Sequence, residues 1–430
     1  MTLFLSGCGN RSHTANLKAT FATELRARIK HVVIIVQENR SFDNLFHGYP
    51  GANWVRAGRA HNGTQVVLQP TSLAAPYDLS HSYQDFLLAY DHGKMDGFDL
   101  TKAGRQPGAR GAKLRISFPQ YRYVPTREIQ PYFAMAKRYV LADDMFQSNM
   151  DQSFAAHLYL VGAQSVTAVN IPTGRPWGCD AGDRARVLTL HQNRKPAKLV
   201  YPCFSVRTIA DELDERTLEW RYYAPKIDSS ATWQRYARER RQRVSSEGEG
   251  LEFGQLWNAF DAIDHIRFGP DWENVISPES TALRDFRRGD LPAVAWVIPS
   301  WKNSDHPLSK STSGPQWVTR LVNAIGESPA WKSTAIFVLW DDSGGWYDHV
   351  RPPQLDFDGL GNRIPMLVVS PFAKRGHVTH EQYEFGSVLK FAETAFGLAQ
   401  LSASDRRAHS LDDCFDFQAP ARSYEPIPLR

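Results

Sequence analysis

Between His31 and Phe46 the chain reads HVVIIVQENRSFDNLF. Val32 to Val36 are five β-branched residues in a row, a type that loses rotamer freedom in a helix and packs well on a pleated surface. An unbroken apolar run, rather than an alternating one, predicts a strand buried on both faces, as in the middle of a parallel sheet. The polar residues Gln37 to Asp43 begin where such a strand would emerge. The pattern recurs in VLADDMF (140–146), EWRYYA (219–224), AVAWVIP (293–299), TAIFVLW (334–340) and IPMLVVS (364–370). Helical spacing falls between these runs, at Ala19–Ile29, His81–Ala89, Ile129–Tyr139, Ser153–Val161, Ser205–Glu215, Pro315–Glu327 and Phe385–Phe396. Strands alternating with helices predict an α/β fold, a mostly parallel sheet with helices on both faces. Residues 1–30 read as an N-terminal tail, and 31–430 as one domain with a charged helical insertion near 228–275.

Composition narrows the function classes. The chain has 430 residues, is 42% hydrophobic and 22% charged, and carries a formal net charge of +4. That is ordinary globular material, and the charge is too weak to argue for nucleic acid. The most basic run, RYARERRQR (235–243), reads as a solvated helix face. No apolar run approaches the roughly 20 residues of a transmembrane helix. Leu5-Ser6-Gly7-Cys8 resembles a bacterial lipobox, which makes Cys8 a candidate membrane tether, although the apolar stretch before it is short for a signal segment. Cys179 and Cys203 lie in turn-rich sequence and suit a loop-closing disulfide in an oxidising compartment, leaving Cys414 as a buried thiol. Export to the periplasm, the outer membrane or the medium is the expected location.

The chemistry crowds behind the strands, where open α/β sheets place their sites. In VLWDDSGGWYDHV (338–350) a buried strand ends in Asp341 and Asp342. Adjacent carboxylates repel unless a cation or proton sits between them, so a divalent metal is expected, with the two glycines letting the backbone turn sharply beside it. A solvated turn is the plainer alternative. Glu38 and Asn39 leave the end of the first strand together and are also oxygen ligands suited to a hard cation. Asn39 or Ser41 would equally serve as a helix N-cap. His81 and His306, with Asp305 beside the latter and His349 behind the DDSGG turn, are candidate acids, bases or substrate contacts. Ser153 opens a helix, either as its N-cap or as a nucleophile activated by a metal.

Taken in order, ENRSFDNLF, KMDGF, the Ser153 helix, DHP, WDDSGGWYDHVRPP and IPMLVVSPFAKRG resemble the bacterial phosphoesterase family, from about His31 to Phe417. That family joins phosphatidylcholine-type phospholipases C with a respiratory-burst-inhibiting acid phosphatase. The resemblance implies an alkaline-phosphatase-like fold, a metal-dependent phosphoesterase, and one divalent metal ion whose identity is left open. It implies Glu38, Asn39, Asp341 and Asp342 as metal ligands and Ser153 as nucleophile. It implies His81 and His306 on the substrate side as catalytic histidines, with Asp305 and His349 as further substrate contacts. The family often reads G-P-[ST]-x-P-N-R around the nucleophile. MDQSFAAH (150–157) keeps the hydroxyl but not the flanking Gly, Pro and Asn. The Cys179–Cys203 pair also resembles a disulfide of exported members.

The expected substrate is a phosphoester, either a phosphomonoester or a phospholipid head group. Larger phospholipase C members carry further β-rich domains. This sequence stops about 80 residues past the DDSGG block, which favours the compact acid-phosphatase-like reading over a phospholipase C. A non-catalytic, metal-binding surface lipoprotein would show a lost ligand or nucleophile, and every expected position holds a competent residue. Sulfatases mature a Cys or Ser in a C/S-x-P/A-x-R context, and SFAAH lacks the Arg.

Overall fold

A computed structural model describes residues 19–105, 116–235 and 253–430. Eight strands form the central sheet: β1 (His31–Gln37), β2 (Val140–Ala142), β3 (Trp220–Tyr223), β4 (Val275–Ile276), β5 (Val294–Val297), β6 (Thr334–Trp340), β7 (Met366–Val369) and β8 (His377–Thr379). Their order is β4-β3-β5-β1-β6-β7-β2-β8. Only β7 runs antiparallel to its neighbours β6 and β2; the remaining pairs are parallel. The strands with unbroken apolar runs, β1 and β6, pair with each other in the interior of the sheet. Val32 to Val36 and Ala335 to Trp340 are fully buried.

Helices cover both faces. Alternation along β6 points Phe337 and Trp340 to opposite sides. Phe337 meets Phe391 of helix α5 (Phe385–Phe396) edge-on at 5.1 Å. On the same side Trp296 of β5 donates its indole N–H to the Leu160 carbonyl of α3 (Ser153–Gly162) at 3.1 Å. Trp340 meets Tyr132 of α2 (Gln130–Arg138) at 5.0 Å on the other side, where α4 (Gly314–Gly326) also packs. This is the expected α/β arrangement, and Phe385–Phe396 matches its sequence boundaries to the residue.

Three regions bear on the remaining expectations. The helix at 19–28 is present and anchors Leu25 in the core, while Cys8 lies outside the described residues. The charged insertion near 228–275 lies only partly within the described residues. They include helical residues at 230–235, 3₁₀ turns (Phe253–Trp257, Ala259–Ala262, Pro270–Asn274) and the four-residue helix Asp264–Arg267. Leu256, Trp257 and Phe260 are buried there, so burial overrides the charge pattern. Around the cysteines the chain also builds a three-stranded sheet (Ala168–Val169, Val187–Leu190, Pro196–Val200) not marked by apolar runs. Cys179 and Cys203 are bonded to each other, with Cα atoms 4.6 Å apart, and Cys414 is a buried free thiol.

Candidate active site

The register of β1 against β6 builds the site. Gln37 faces Trp340 in the last rung of that parallel pair. One step further each chain leaves the sheet, and Glu38 and Asp341 emerge side by side. The Asp341 N–H still donates to the Gln37 carbonyl at 2.9 Å, and the Asn39 N–H donates to Asp341 Oδ1 at 3.0 Å. The Arg40 N–H closes the crossing onto the Asp342 carbonyl at 2.9 Å.

The two glycines of DDSGG have separate tasks. Gly344 has φ +59°, and a Cβ there would stand 2.5 Å from the Asn39 carbonyl oxygen. Gly345 has φ +74°, and its Cβ would stand 2.9 Å from Leu79 Cβ and 3.0 Å from the Ser80 carbonyl oxygen. Each glycine is thus a seat for another site segment, 39 on one side and 79–81 on the other. His81 follows a short strand (Tyr77–Leu79), and its Nδ1 lies 2.7 Å from the Leu79 carbonyl.

Ser153 is the first residue of α3, after the N-cap Gln152. Its hydroxyl donates to Asp342 Oδ2 at 3.1 Å and approaches Glu38 Oε2 at 3.4 Å. The capping task at the other turn falls to Ser41, whose Oγ accepts from the Asn44 N–H at 3.2 Å. Asn39 is therefore spared for the site. Its side-chain nitrogen stands 3.0 Å from His81 Nε2, and His81 Nε2 is 3.8 Å from Asp342 Oδ2.

Electrostatically the cluster is short of positive charge. Burial, then Asp341 and Asp342, hold the Glu38 carboxyl well above the usual range. Burial and Asp341 push Asp342 up to about 8. Burial draws the His81 imidazole down, but Asp342, Asp78, the Leu79 carbonyl and Asp341 outweigh it and bring it to about 9. His306 differs: burial leads, and holds it neutral at about 4. Its ring lies 4.5 Å from Trp301 and 6.3 Å from Trp257, and 4.0 Å separates its Nε2 from Asp78 Oδ2.

Two buried oxygens in this cluster, Asn39 Oδ1 and Asp341 Oδ2, have no hydrogen-bond partner. Orphaned buried acceptors are costly, and a cation between them satisfies both. The donor set of carboxylates, amide oxygen and hydroxyl therefore fits a divalent metal.

A model of the Phosphoesterase family matches residues 29–399. The chain belongs to that family. It is 24% identical to the hemolytic phospholipase C of Pseudomonas aeruginosa over 91% of this chain, and spans 56% of that relative's length. It is 23% identical to phospholipase C A of Mycobacterium tuberculosis, over 93% of this chain and 79% of that one. A solved structure from the alkaline phosphatase superfamily, from Vibrio parahaemolyticus, is 10% identical, covers 91% of this chain and 79% of its own, and has a TM-score of 0.36.

Within this member of the Phosphoesterase family, Glu38, Asn39, Asp341, Asp342, Ser153 and His81 lie together, and His306 stands nearby. Asp305 and His349 do not join them. The Asp305 carboxylate is fully buried and accepts from Tyr132 Oη at 2.9 Å and Trp340 Nε1 at 3.0 Å, while its carbonyl accepts from the Arg40 guanidinium. It joins core elements rather than facing the cluster. His349 lies in a second group, with Nδ1 2.7 Å from Asp43 Oδ2 and Nε2 3.1 Å from Asn53 Oδ1. Asp43 and Asp348 there pair with the buried Arg363 guanidinium. One neighbour of the site escaped sequence reasoning. His157, one helical turn after Ser153, puts Nε2 3.0 Å from Glu38 Oε1 and 3.7 Å from Asp341 Oδ2. The i, i+4 spacing was the available signal.

Proposed function

We propose that the protein is an exported, metal-dependent phosphoester hydrolase with Ser153 as nucleophile. The carrying observation is the Ser153 hydroxyl: at the start of a buried helix, within 3.4 Å of two carboxylates that border the orphaned acceptors of Asn39 and Asp341. Glu38, Asn39, Asp341 and Asp342 would hold one divalent cation, which when bound lowers the serine pKa and offsets phosphoryl charge. Ser153 gives its proton up to solvent, and its Oγ attacks phosphorus in line as the bond to the alcohol oxygen breaks. The N-terminal end of α3 directs its free N–H groups at the phosphoryl oxygens. His81 protonates the departing alcohol oxygen, and neutral His306 donates one N–H to a phosphoryl oxygen. Water then cleaves the phosphoserine, returning the serine and releasing the phosphorylated fragment.

The leaving group separates two substrate classes. The relatives named phospholipase C favour a phosphodiester with a lipid alcohol, and the aromatic wall of Trp301 and Trp257 beside His306 suits a quaternary ammonium head group. The competing class is the phosphomonoester expected from sequence. Export is supported by the Cys179–Cys203 disulfide.

The test is hydrolysis of p-nitrophenyl phosphate and p-nitrophenyl phosphorylcholine, with and without chelator, by the wild type and Ser153→Ala. Chelator-sensitive cleavage of one ester, lost in the variant, is expected. Cleavage of neither ester, or near-wild-type rates in Ser153→Ala, would overturn the reading.

A further inference from the structure

His157 sets its Nε2 against two carboxylates of the cation site, Glu38 and Asp341. Its side chain is 3% exposed. The donor atoms of Glu38, His157 and Asp341 all lie within 4.8 Å of one another. Around an ion with bonds of about 2.0–2.2 Å, neighbouring donors stand about 3–3.6 Å apart. The His157–Glu38 distance of 3.0 Å and the His157–Asp341 distance of 3.7 Å bracket that range. The 3.1 and 3.4 Å from Ser153 Oγ to Asp342 and Glu38 fall within it.

The ring is also free to turn its lone pair inward. Nδ1 is buried without a partner, so no second hydrogen bond fixes which nitrogen carries the proton. Asp341 Oδ2, the acceptor nearest to Nε2 after Glu38, is itself without a partner.

We propose that His157 Nε2 is a direct ligand of the cation held by Glu38 and Asp341, and that this nitrogen turns the site towards zinc-class ions and away from magnesium and calcium. Imidazole suits zinc, copper, iron and nickel, whereas all-oxygen sets suit magnesium, calcium and manganese. The inference rests on the proposed cation site and deepens it.

The experiment uses the full chain, stripped by chelator and reloaded. Calorimetry measures Zn²⁺ and Mg²⁺ affinity, and pulsed EPR of the Cu²⁺-loaded protein detects a coordinated imidazole nitrogen. In the wild type we expect the nitrogen coupling and a marked preference for Zn²⁺ over Mg²⁺. In His157→Gln the coupling is lost and Zn²⁺ affinity falls by more than about 100-fold, beyond the usual cost of losing an outer partner. His81→Gln keeps the coupling. A wild type that binds Cu²⁺ without nitrogen coupling needs no variant to overturn the inference while leaving the cation site standing. Coupling that survives in His157→Gln does the same. A wild type that binds no divalent ion overturns both this inference and the cation site on which it rests.

Discussion

The backbone N–H of Asn39 donates to the Asp341 carboxylate across 3.0 Å, though 302 positions separate the two residues. The bond fixes Asn39 at φ 60°, a left-handed conformation that asparagine and glycine accept more readily than other residues. It also occupies Asp341 Oδ1, together with the Asp342 N–H at 2.7 Å, and leaves Oδ2 open. Asn39→Gly should therefore keep the backbone and the melting temperature while phosphoester hydrolysis drops by more than about tenfold through loss of the amide oxygen. Asn39→Val should add a stability loss of about 1–2 kcal/mol. A glycine variant with wild-type turnover would remove Asn39 from the site.

Gly344→Ala tests the seat beneath Asn39. Its added Cβ would lie 2.5 Å from a carbonyl oxygen and 2.7 Å from Asn39 Cβ. Backbone cannot swing aside as a flexible side chain does, and φ +59° adds strain. We expect a destabilisation of about 2–3 kcal/mol in denaturant unfolding and a larger proportional loss of activity. An alanine variant with an unchanged unfolding midpoint would contradict this packing.

The central strands and the helices between them were legible in the sequence because β1 and β6 are buried on both faces and so show as unbroken apolar runs. The pairing of Glu38 with Asp341 was legible only as a resemblance. A parallel register 303 positions apart leaves no local trace, and Gln37 opposite Trp340 has no signature of its own. Asp305 and His349 misled for a related reason. Each follows a strand as a site residue would, yet Tyr132 and Trp340 hold the Asp305 carboxylate in the core, and Asp43 and Asn53 hold the His349 ring, through contacts that spacing does not reveal. His157 was overlooked because a histidine inside an apolar helix reads as core.

Arg363 is the hub of the second group. Its guanidinium donates to Asp348 at 2.8 and 3.2 Å, approaches Asp43 at 3.5 Å, and donates to the carbonyls of Asn53 and Asp143, each at 2.9 Å. It also lies over the Phe42 ring at 4.8 Å. Removing one side of a buried ion pair strands the other, so Arg363→Met should cost about 3–5 kcal/mol. Arg363→Lys should recover little of it, because an ammonium cannot reproduce the planar fork. Urea unfolding of both variants measures this, and a loss below about 1 kcal/mol for Met would show the hub to be dispensable.

Glu393 offers a pH-dependent test away from the candidate site. It lies on α5 facing Asp405, buried, and desolvation followed by Asp405 raises its pKa from an ordinary 4.5 to about 10. Asp405 accepts backbone N–H groups from Leu401, Ser402 and Arg406, whereas both Glu393 oxygens are buried without a partner, so burial favours the protonated Glu393 carboxyl. The folded protein thus keeps a proton that the unfolded chain releases near 4.5. The stability this provides is full below that pH and is lost as pH rises towards 10, because there the unfolded state binds fewer protons than the native one. Glu393→Gln keeps an N–H donor towards Asp405 but cannot ionise. The wild-type melting temperature should fall more steeply than that of the variant between pH 6 and 9, with the variant the more stable at pH 9 and the gap closing towards pH 5. Parallel melting curves for the two proteins across that range would mean that Glu393 is ionised in the fold.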